Sequence, residues 1–340
     1  MKGDYGPHAG HLAFPAPAQS GAGSQRGAAL LMAMLTVTLV ATLAAAEMWQ
    51  QWRSVEIEAA ERSRMQSAWV LIGAIDWARL ILRDDARAGG ADHLAEPWAV
   101  PLQETRLSTF LAADRNNTGG MNTDMGSSSS EGQTAFLSGQ ITDLQSRLNV
   151  LNLVEGDKVS EIHLKTFARL FELLGLPPQQ LALLANAMVQ AFDAPGSNPA
   201  APLLPQQIEQ LAWLGVAPQT LAVLRPYITM LPARTPVNLN TASAEVISAS
   251  LPMLDLAEAR RLVAARDIAP FRSLADAGKL AGAAAVGLNE GQHSVATHYF
   301  EVRRRLRLDQ TTVEERSLVQ REELDVRTLW RERGAASAER

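Results

Sequence analysis

The chain has 340 residues, 47% of them hydrophobic, and a net charge of -5; this is enough apolar material for two compact units besides an anchor, with no global attraction to nucleic acid. Cysteine is absent, so bracing must come from packing or an ion rather than a disulfide. The six histidines do not cluster, and no serine, histidine and acid sit together in a nucleophile motif, which argues against an enzyme.

Nineteen uncharged, mostly apolar residues, Ala28–Ala46, follow Arg26-Gly27, and the chain turns polar at Glu47. That length is close to the ~20 residues a helix needs to cross a bilayer. A secretory signal has a shorter apolar core and a small-residue cleavage site; Ala44-Ala45-Ala46 imitates such a site, so a cleaved signal peptide is the competing reading. Against it, no glycine or proline lies between Gly27 and Gly73, and Ala28–Ile72 is predicted as one helix about 68 Å long. Met48, Trp52, Val55 and Ala59, then Met65, Trp69 and Ile72, recur every three or four residues, an apolar stripe on a helical face. Glu56, Glu58, Glu61, Arg62 and Arg64 occupy mainly the rest of that surface. A cleaved signal has no reason to be phased into such a helix.

Residues 48 to about 87 are predicted to continue the helix, and the stretch from Ala88 to Ala135 is polar and glycine-rich, with loop-like tracts at Asn116–Gly120 and Ser127–Ser130. Phe136–Leu153 contains strand-like pieces, and from Ser160 to about Leu288 the pattern is helical. Leu164, Phe167, Leu170, Phe171 and Leu174 share one face, which stops at Gly175-Leu176-Pro177-Pro178, a firm helix boundary. Further helices are predicted over Gln179–Phe192, Pro205–Leu214, Pro218–Leu224, Ala242–Leu251 and Leu256–Ala265; short helices with short loops form a compact all-helical domain. The period then changes. His298–Leu308 alternates, Thr311-Thr312-Val313 opens a second extended piece and Val326–Trp330 a third, an antiparallel meander.

One motif competes for function. Asn238-Leu239-Asn240-Thr241-Ala242 and the helices after it resemble a helix-hairpin-helix, whose DNA-binding versions bring backbone N–H groups to a phosphate through a glycine-containing hairpin. Here the hairpin is Pro252-Met253-Leu254-Asp255, without glycine, and Glu245, Asp255, Glu258 and Asp267 surround Arg260, Arg261 and Arg266. Packing or protein docking is favoured over DNA. The arginines Arg303, Arg304, Arg305 and Arg307 divide between two faces of an alternating strand. Asp92, His93 and Glu96 are ligand types, but no second histidine or cysteine is near them in sequence, so zinc is not expected. His163, on a helical face, reads as an ordinary partly buried residue.

A short hydrophilic leader ending in Gly27, about twenty apolar residues and an amphipathic continuation resemble the class III signal of type IV pilins and type II secretion pseudopilins. The resemblance implies leader-peptidase cleavage between Gly27 and Ala28 and N-methylation of Ala28. The fifth mature residue is then Met32, where most of these proteins have glutamate. In the family that glutamate neutralises the terminal ammonium of a neighbouring subunit, since burying either charge alone in hydrocarbon is costly; its replacement by an apolar residue characterises the tip subunit, type II secretion minor pseudopilin K (GspK family). Asp76–Leu80, Glu96–Ala99, the block Ser138–Leu153 of form G-x-I-x-D-x-x-x-R-x-N, and Val237–Ala242 also resemble that family, over most of residues 25–330.

The resemblance implies an α+β fold: a pilin-like long N-terminal helix packed on an antiparallel sheet, with a large inserted all-helical (helix-hairpin-helix, SAM-like) domain. The expected divisions are a leader (1–27), a transmembrane helix (28–46), a pilin-like body in two parts (47–155 and 291–333) flanking the inserted domain (156–290), and a tail (334–340). It further implies a single-pass inner-membrane protein with a cytoplasmic N-terminus, consistent with Arg26, and a periplasmic C-terminal domain. Partners would be the I- and J-type minor pseudopilins, the major pseudopilin and the prepilin peptidase, with the secreted substrate or the outer-membrane secretin as further contacts. The implied role is to initiate and cap the pseudopilus. Family members carry calcium after the equivalent of Ala187–Phe192, but Asp193–Pro199 is poor in carboxylates here. The alternative is a membrane-tethered DNA receptor of the competence type.

Overall fold

The computed structural model describes residues 24–108, 135–192, 201–308 and 311–335. The loop tracts at 116–120 and 127–130 and the stretch 193–199 lie outside these residues. The chain divides into two compact units, Met1–Arg64 and Met65–Arg340.

Helix α1, Ser24–Ala88, contributes to both units. It passes through Gly73 without a break and ends at Ala88, next to the expected end near residue 87. A mid-helix glycine costs about 1 kcal/mol, which is outweighed by burial of its neighbours Leu71, Ala74 and Ile75. In the first unit Thr36, Thr38 and Thr42 donate their hydroxyls to the carbonyls of Ala33, Leu35 and Leu39, so these polar groups are satisfied within the helix itself.

In the second unit the last turns of α1 lie on one side of a five-stranded antiparallel sheet. Its strands are β1 (Leu102–Arg106), β2 (Ala135–Asp143), β9 (Tyr299–Leu308), β10 (Thr311–Glu322) and β11 (Asp325–Ala335), in that spatial order. Thus β2, from before the helical region, pairs with β9, from after it, with Ile141 opposite Val302. The helical region is therefore an insertion between neighbouring strands. Among the described residues six short strands lie within and beside it: β3 (Leu148–Asn149), β4 (Val154–Glu155), β5 (Lys158–Val159), β6 (Ile228–Thr229), β7 (Val237–Asn238) and β8 (His293–Ser294).

Period-two alternation on β9 sends Phe300, Val302, Leu306 and Leu308 toward α1, where they meet Ile75, Ala78 and Leu82 or Leu71 and Ala74. The α1 face that packs is thus Leu71, Ile75, Ala78 and Leu82, at helical spacing, whereas Met65 and Trp69 of the predicted stripe are 60% and 70% exposed. Trp98 closes this core edge-on to Phe300, with ring centroids 5.2 Å apart, a favourable arrangement of aromatic quadrupoles. Arg304 points to the same side, where its guanidinium donates to Leu71 O (2.9 Å), Glu315 (2.7 Å) and Ser317 Oγ (2.5 Å).

The inserted block consists of α2 (Glu161–Leu173), α3 (Pro178–Phe192), α4 (Pro218–Leu224), α5 (Ala244–Ser250), α6 (Leu256–Ile268) and α7 (Leu274–Ala281) around one apolar cluster. The Gly-Leu-Pro-Pro boundary is a Schellman closure. Gly175 adopts φ +65°, its N–H reaches Glu172 O, and Leu176 N–H reaches Phe171 O. The segment predicted as helix over Pro205–Leu214 is instead a 3-10 helix, Ile208–Leu214, ending at left-handed Gly215.

Replacing Phe300 by Ala removes the ring on which α1, Trp98 and the sheet converge; the expected loss, read by denaturant unfolding of the detergent-solubilised full chain, is about 3–5 kcal/mol.

Candidate functional site: the membrane anchor and a buried polar clamp

Two regions carry the residues singled out by sequence. The first is the start of α1. Gly27, Ala28 and Met32 all lie in this helix and are exposed, Met32 at 65%. The helix from Gly27 is long and apolar enough to cross a membrane, with a mean hydropathy of 2.2 in its most apolar window, none of it buried in protein. A soluble core helix of this composition would hide that surface; here Leu30, Leu31, Leu35, Val37, Val40 and Leu43 are all more than half exposed. Helices with an apolar surface all round are accommodated by lipid.

The second region lies where the sheet meets the inserted block, and both sequence motifs converge there. Asp143, the acid of the G-x-I-x-D block, is fully buried at the end of β2. One carboxylate oxygen accepts from Gln145 N (2.7 Å) and the Thr297 hydroxyl (2.6 Å), the other from the Asn238 amide (3.0 Å) and the Thr241 hydroxyl (2.5 Å). Burial raises its pKa, and the four donors oppose that shift. Asn238 and Thr241 belong to the Val237–Ala242 motif, so the acid of one motif is satisfied by the amide and hydroxyl of the other.

The remaining polar residues of these motifs continue the clamp. The Asn149 amide donates to Ala233 O (2.7 Å) and accepts from Leu231 N, while Asn152 both donates to and accepts from the Thr235 backbone. Asn240 pairs with both backbone groups of Phe271 at 2.9 Å. The Gln145 amide donates to Pro236 O, and its oxygen accepts from His298 N. These asparagines stand in for missing ladder bonds in irregular buried backbone, where an unpaired N–H or C=O is costly.

Beside Asp143 is a charged group that the sequence did not reveal. Arg321 of β10 donates to Asp85 near the end of α1, to Asp92 in the following loop, and to Thr297 O. Its guanidinium also stacks over the Phe300 ring, 4.9 Å from the centroid. Asp92 in turn accepts from Thr297 N at 2.7 Å. Glu96 accepts from His93 N and the Trp98 indole N–H at 2.9 and 2.7 Å. Burial first, with Asp85 and Asp92 adding repulsion, pushes the Glu96 pKa up to about 7.

Asp85, Asp92 and Glu96 bring carboxylate oxygens within 4.8 Å of one another, the grouping that could hold a hard cation. It fits poorly, because Arg321 already supplies the positive charge and occupies oxygens of Asp85 and Asp92. His93, adjacent in sequence, is not part of this group. The stretch in which the resemblance implied calcium is outside the described residues. His163 is 8% exposed, and burial lowers its pKa.

The helix-hairpin-helix is not arranged for phosphate. Asp255 caps α6 by accepting from Glu258 N at 2.7 Å, and Glu258 reciprocates to Asp255 N, so two carboxylates cover the helix N-terminus an anion would need. Arg266, one of the three arginines of this motif that could meet a phosphate, is 5% exposed and donates to Leu239 O.

Two family models, both described as type II secretion system (T2SS) protein K, match this chain, one over residues 146–233 and the other over 237–296. These spans hold Asn149, Asn152, Asn238, Asn240 and Thr241 of the clamp. Through these two spans the chain is similar to type II secretion system protein K. A protein K relative, "Type II secretion system protein K" of Pseudomonas aeruginosa, is 26% identical over 304 residues, covering 82% of this chain and 83% of its own length. The fold is similar to a chain in "The Crystal Structure of the GspK-GspI-GspJ complex from enterotoxigenic Escherichia coli Type 2 Secretion System", with TM-score 0.61, 15% identity and coverage of 82% of this chain and 99% of that one. The similarity to protein K supports the role of a minor pseudopilin, a structural component of the secretion system, and the apolar N-terminal helix fits a membrane anchor.

Asp143→Ala strips four donors of their acceptor at a fully buried site and is expected to cost at least about 3 kcal/mol in denaturant unfolding. Glu96 gives a pH signature. Its folded pKa lies above the unfolded value near 4.5, so its stabilising contribution is complete below about pH 4.5 and is lost as pH rises through about 7. Unfolding free energies measured across that window should fall less steeply for Glu96→Gln than for the wild type.

Proposed function

We propose that this chain is made with a leader of residues 1–27, is cut between Gly27 and Ala28 and methylated at Ala28, and works as the first subunit of the periplasmic pseudopilus. The observation that carries the reading is the wholly exposed apolar helix beginning at Gly27, with Met32 five residues into the mature chain. An apolar fifth residue suits a subunit with no ammonium ahead of it to neutralise, because an unpaired carboxylate at that depth is costly. Residues 28–46 cross the inner membrane with Arg26 on the cytoplasmic side, and the remaining chain is periplasmic.

In this reading residues 47–155 and 291–333 form the pilin-like body, residues 156–290 the inserted domain that caps the fibre, and 334–340 a tail. The membrane helix packs with those of I- and J-type minor pseudopilins, and the complex initiates assembly ahead of the major pseudopilin. Support comes from the solved chain of similar fold, which belongs to a GspK-GspI-GspJ complex. The protein contributes by binding and positioning and performs no catalytic step. Secreted substrate or the outer-membrane secretin would meet the inserted domain.

Co-expression with the cognate prepilin peptidase should give an intact mass and N-terminal sequence beginning at methylated Ala28, and the processed chain should co-purify with the I- and J-type subunits. An uncut chain, or one cut after Ala46, would overturn the proposal.

A further inference from the structure

On the side of the sheet away from α1, a groove of about 510 Å³ separates the strands from the inserted block, within the range of roughly 300–1,000 Å³ that ligand sites occupy. Its floor runs along β9 from Glu301 to Arg305 and across β10 and β11 at Arg316, Trp330 and Glu332. The five strand residues from Glu301 to Arg305, four steps of roughly 3.3 Å, and three strands roughly 4.8 Å apart make a trough about 13 Å long and about 10 Å wide, matching about four residues of extended chain.

Charge is distributed unevenly within it. Five arginines and four glutamates line the groove. Arg303 bonds to Glu301 at 3.1 Å, Arg305 approaches Glu314 at 3.7 Å, Arg316 bonds to Glu332 at 2.8 Å, and Arg225 pairs with Glu209. The remaining cation is Arg147, from the G-x-I-x-D-x-x-x-R block. Among the described residues nothing hydrogen-bonds or ion-pairs with its side chain. It is half-buried, and burial pulls its pKa down; the charges facing it are of both signs, Glu301 and Asp143 against Arg303 and Arg225. Apolar surface from Leu144, Ile208, Pro226, Met230 and Trp330 flanks it. A half-desolvated guanidinium left unsatisfied is costly on its own and attracts an acceptor.

We propose that this groove is a docking site for an extended polypeptide segment in which one carboxylate side chain, flanked by apolar residues, reaches Arg147. The ligand lies across the sheet face instead of lengthening the sheet. The outer edge of β11 carries Arg327, Arg331 and Arg333, and the β10–β11 ladder is broken by a register shift at Leu318/Val319, both features that discourage strand addition. The inference is independent of the pseudopilus reading, because it rests on the groove's own charge and shape.

The test uses the full chain in lipid nanodiscs and fluorescence anisotropy with the peptide fluorescein-Gly-Ser-Val-Glu-Leu-Ser-amide, alongside versions with Gln or Lys in place of Glu. The Glu peptide should bind saturably and about tenfold or more tighter than the Gln peptide, and the Lys peptide more weakly still. Arg147→Gln should abolish the Glu preference with no change in the thermal unfolding midpoint. Gln206→Trp, at the exposed rim, should weaken binding by filling the mouth, so the test survives if the Arg147 variant fails to fold. No saturable binding, equal binding of the Glu and Gln peptides, a Glu preference that persists in a folded Arg147→Gln, or binding unaffected by Gln206→Trp would each overturn the proposal.

Discussion

A fully buried carboxylate is costly unless its oxygens are satisfied, and Asp143 meets that condition only when chain segments about a hundred residues apart come together. Its two oxygens receive donors from its own turn, from the 238–241 motif and from Thr297 beside β9. The inserted block and the sheet therefore meet at one hub that is stable only when all the donors are present. Desolvation opposes the arrangement, and four hydrogen bonds to a carboxylate offset it. Placement of the insertion between β2 and β9 depends on this hub as much as on the strand ladder.

Arg321 extends the same logic to α1. It links the end of α1 through Asp85, the following loop through Asp92, and the segment leading into β9 through Thr297 O, while lying over Phe300. The polar cross-links are thus backed by the aromatic core they surround: Trp98 packs edge-on to Phe300, and Glu96 holds the indole N–H. For a chain without cysteine, such a network fixes the approach of helix, loop and sheet where secreted domains often use disulfides. It also explains why the acidic group at Asp85, Asp92 and Glu96 serves packing instead of presenting an open cation site.

The two sides of the sheet have different tasks. The α1 side is mainly apolar, and its buried polar residues are paired, Arg304 with Glu315 and Ser317 and Arg321 with Asp85. The opposite side is apolar only near Leu144, Leu231, Tyr299 and Leu318, with Trp330 at its margin, and beyond that carries a ladder of arginines and glutamates. Strand alternation produces this division directly, since consecutive residues of Arg303-Arg304-Arg305 point to opposite faces.

Much was legible in the sequence because it was encoded locally. The apolar length of Ala28–Ala46, the Gly175–Pro178 stop and the alternation over β9 each follow from a run of adjacent residues whose period or backbone preference has one solution. The motifs Ser138–Leu153 and Val237–Ala242 also identified the regions that matter. Their roles were not legible, because Asp143, Asn149, Asn238 and Asn240 act through partners 31 to 154 residues away, and sequence spacing carries no record of which distant backbone groups lack a partner. For the same reason Arg321 was missed: in sequence it is one arginine in an alternating strand. Residue order determined the anchor, the helix stops and the strand faces through local sterics and hydrophobic period. Only the tertiary structure decided which charges are buried and which carboxylates they meet, because desolvation and hydrogen-bond satisfaction are set by the whole fold.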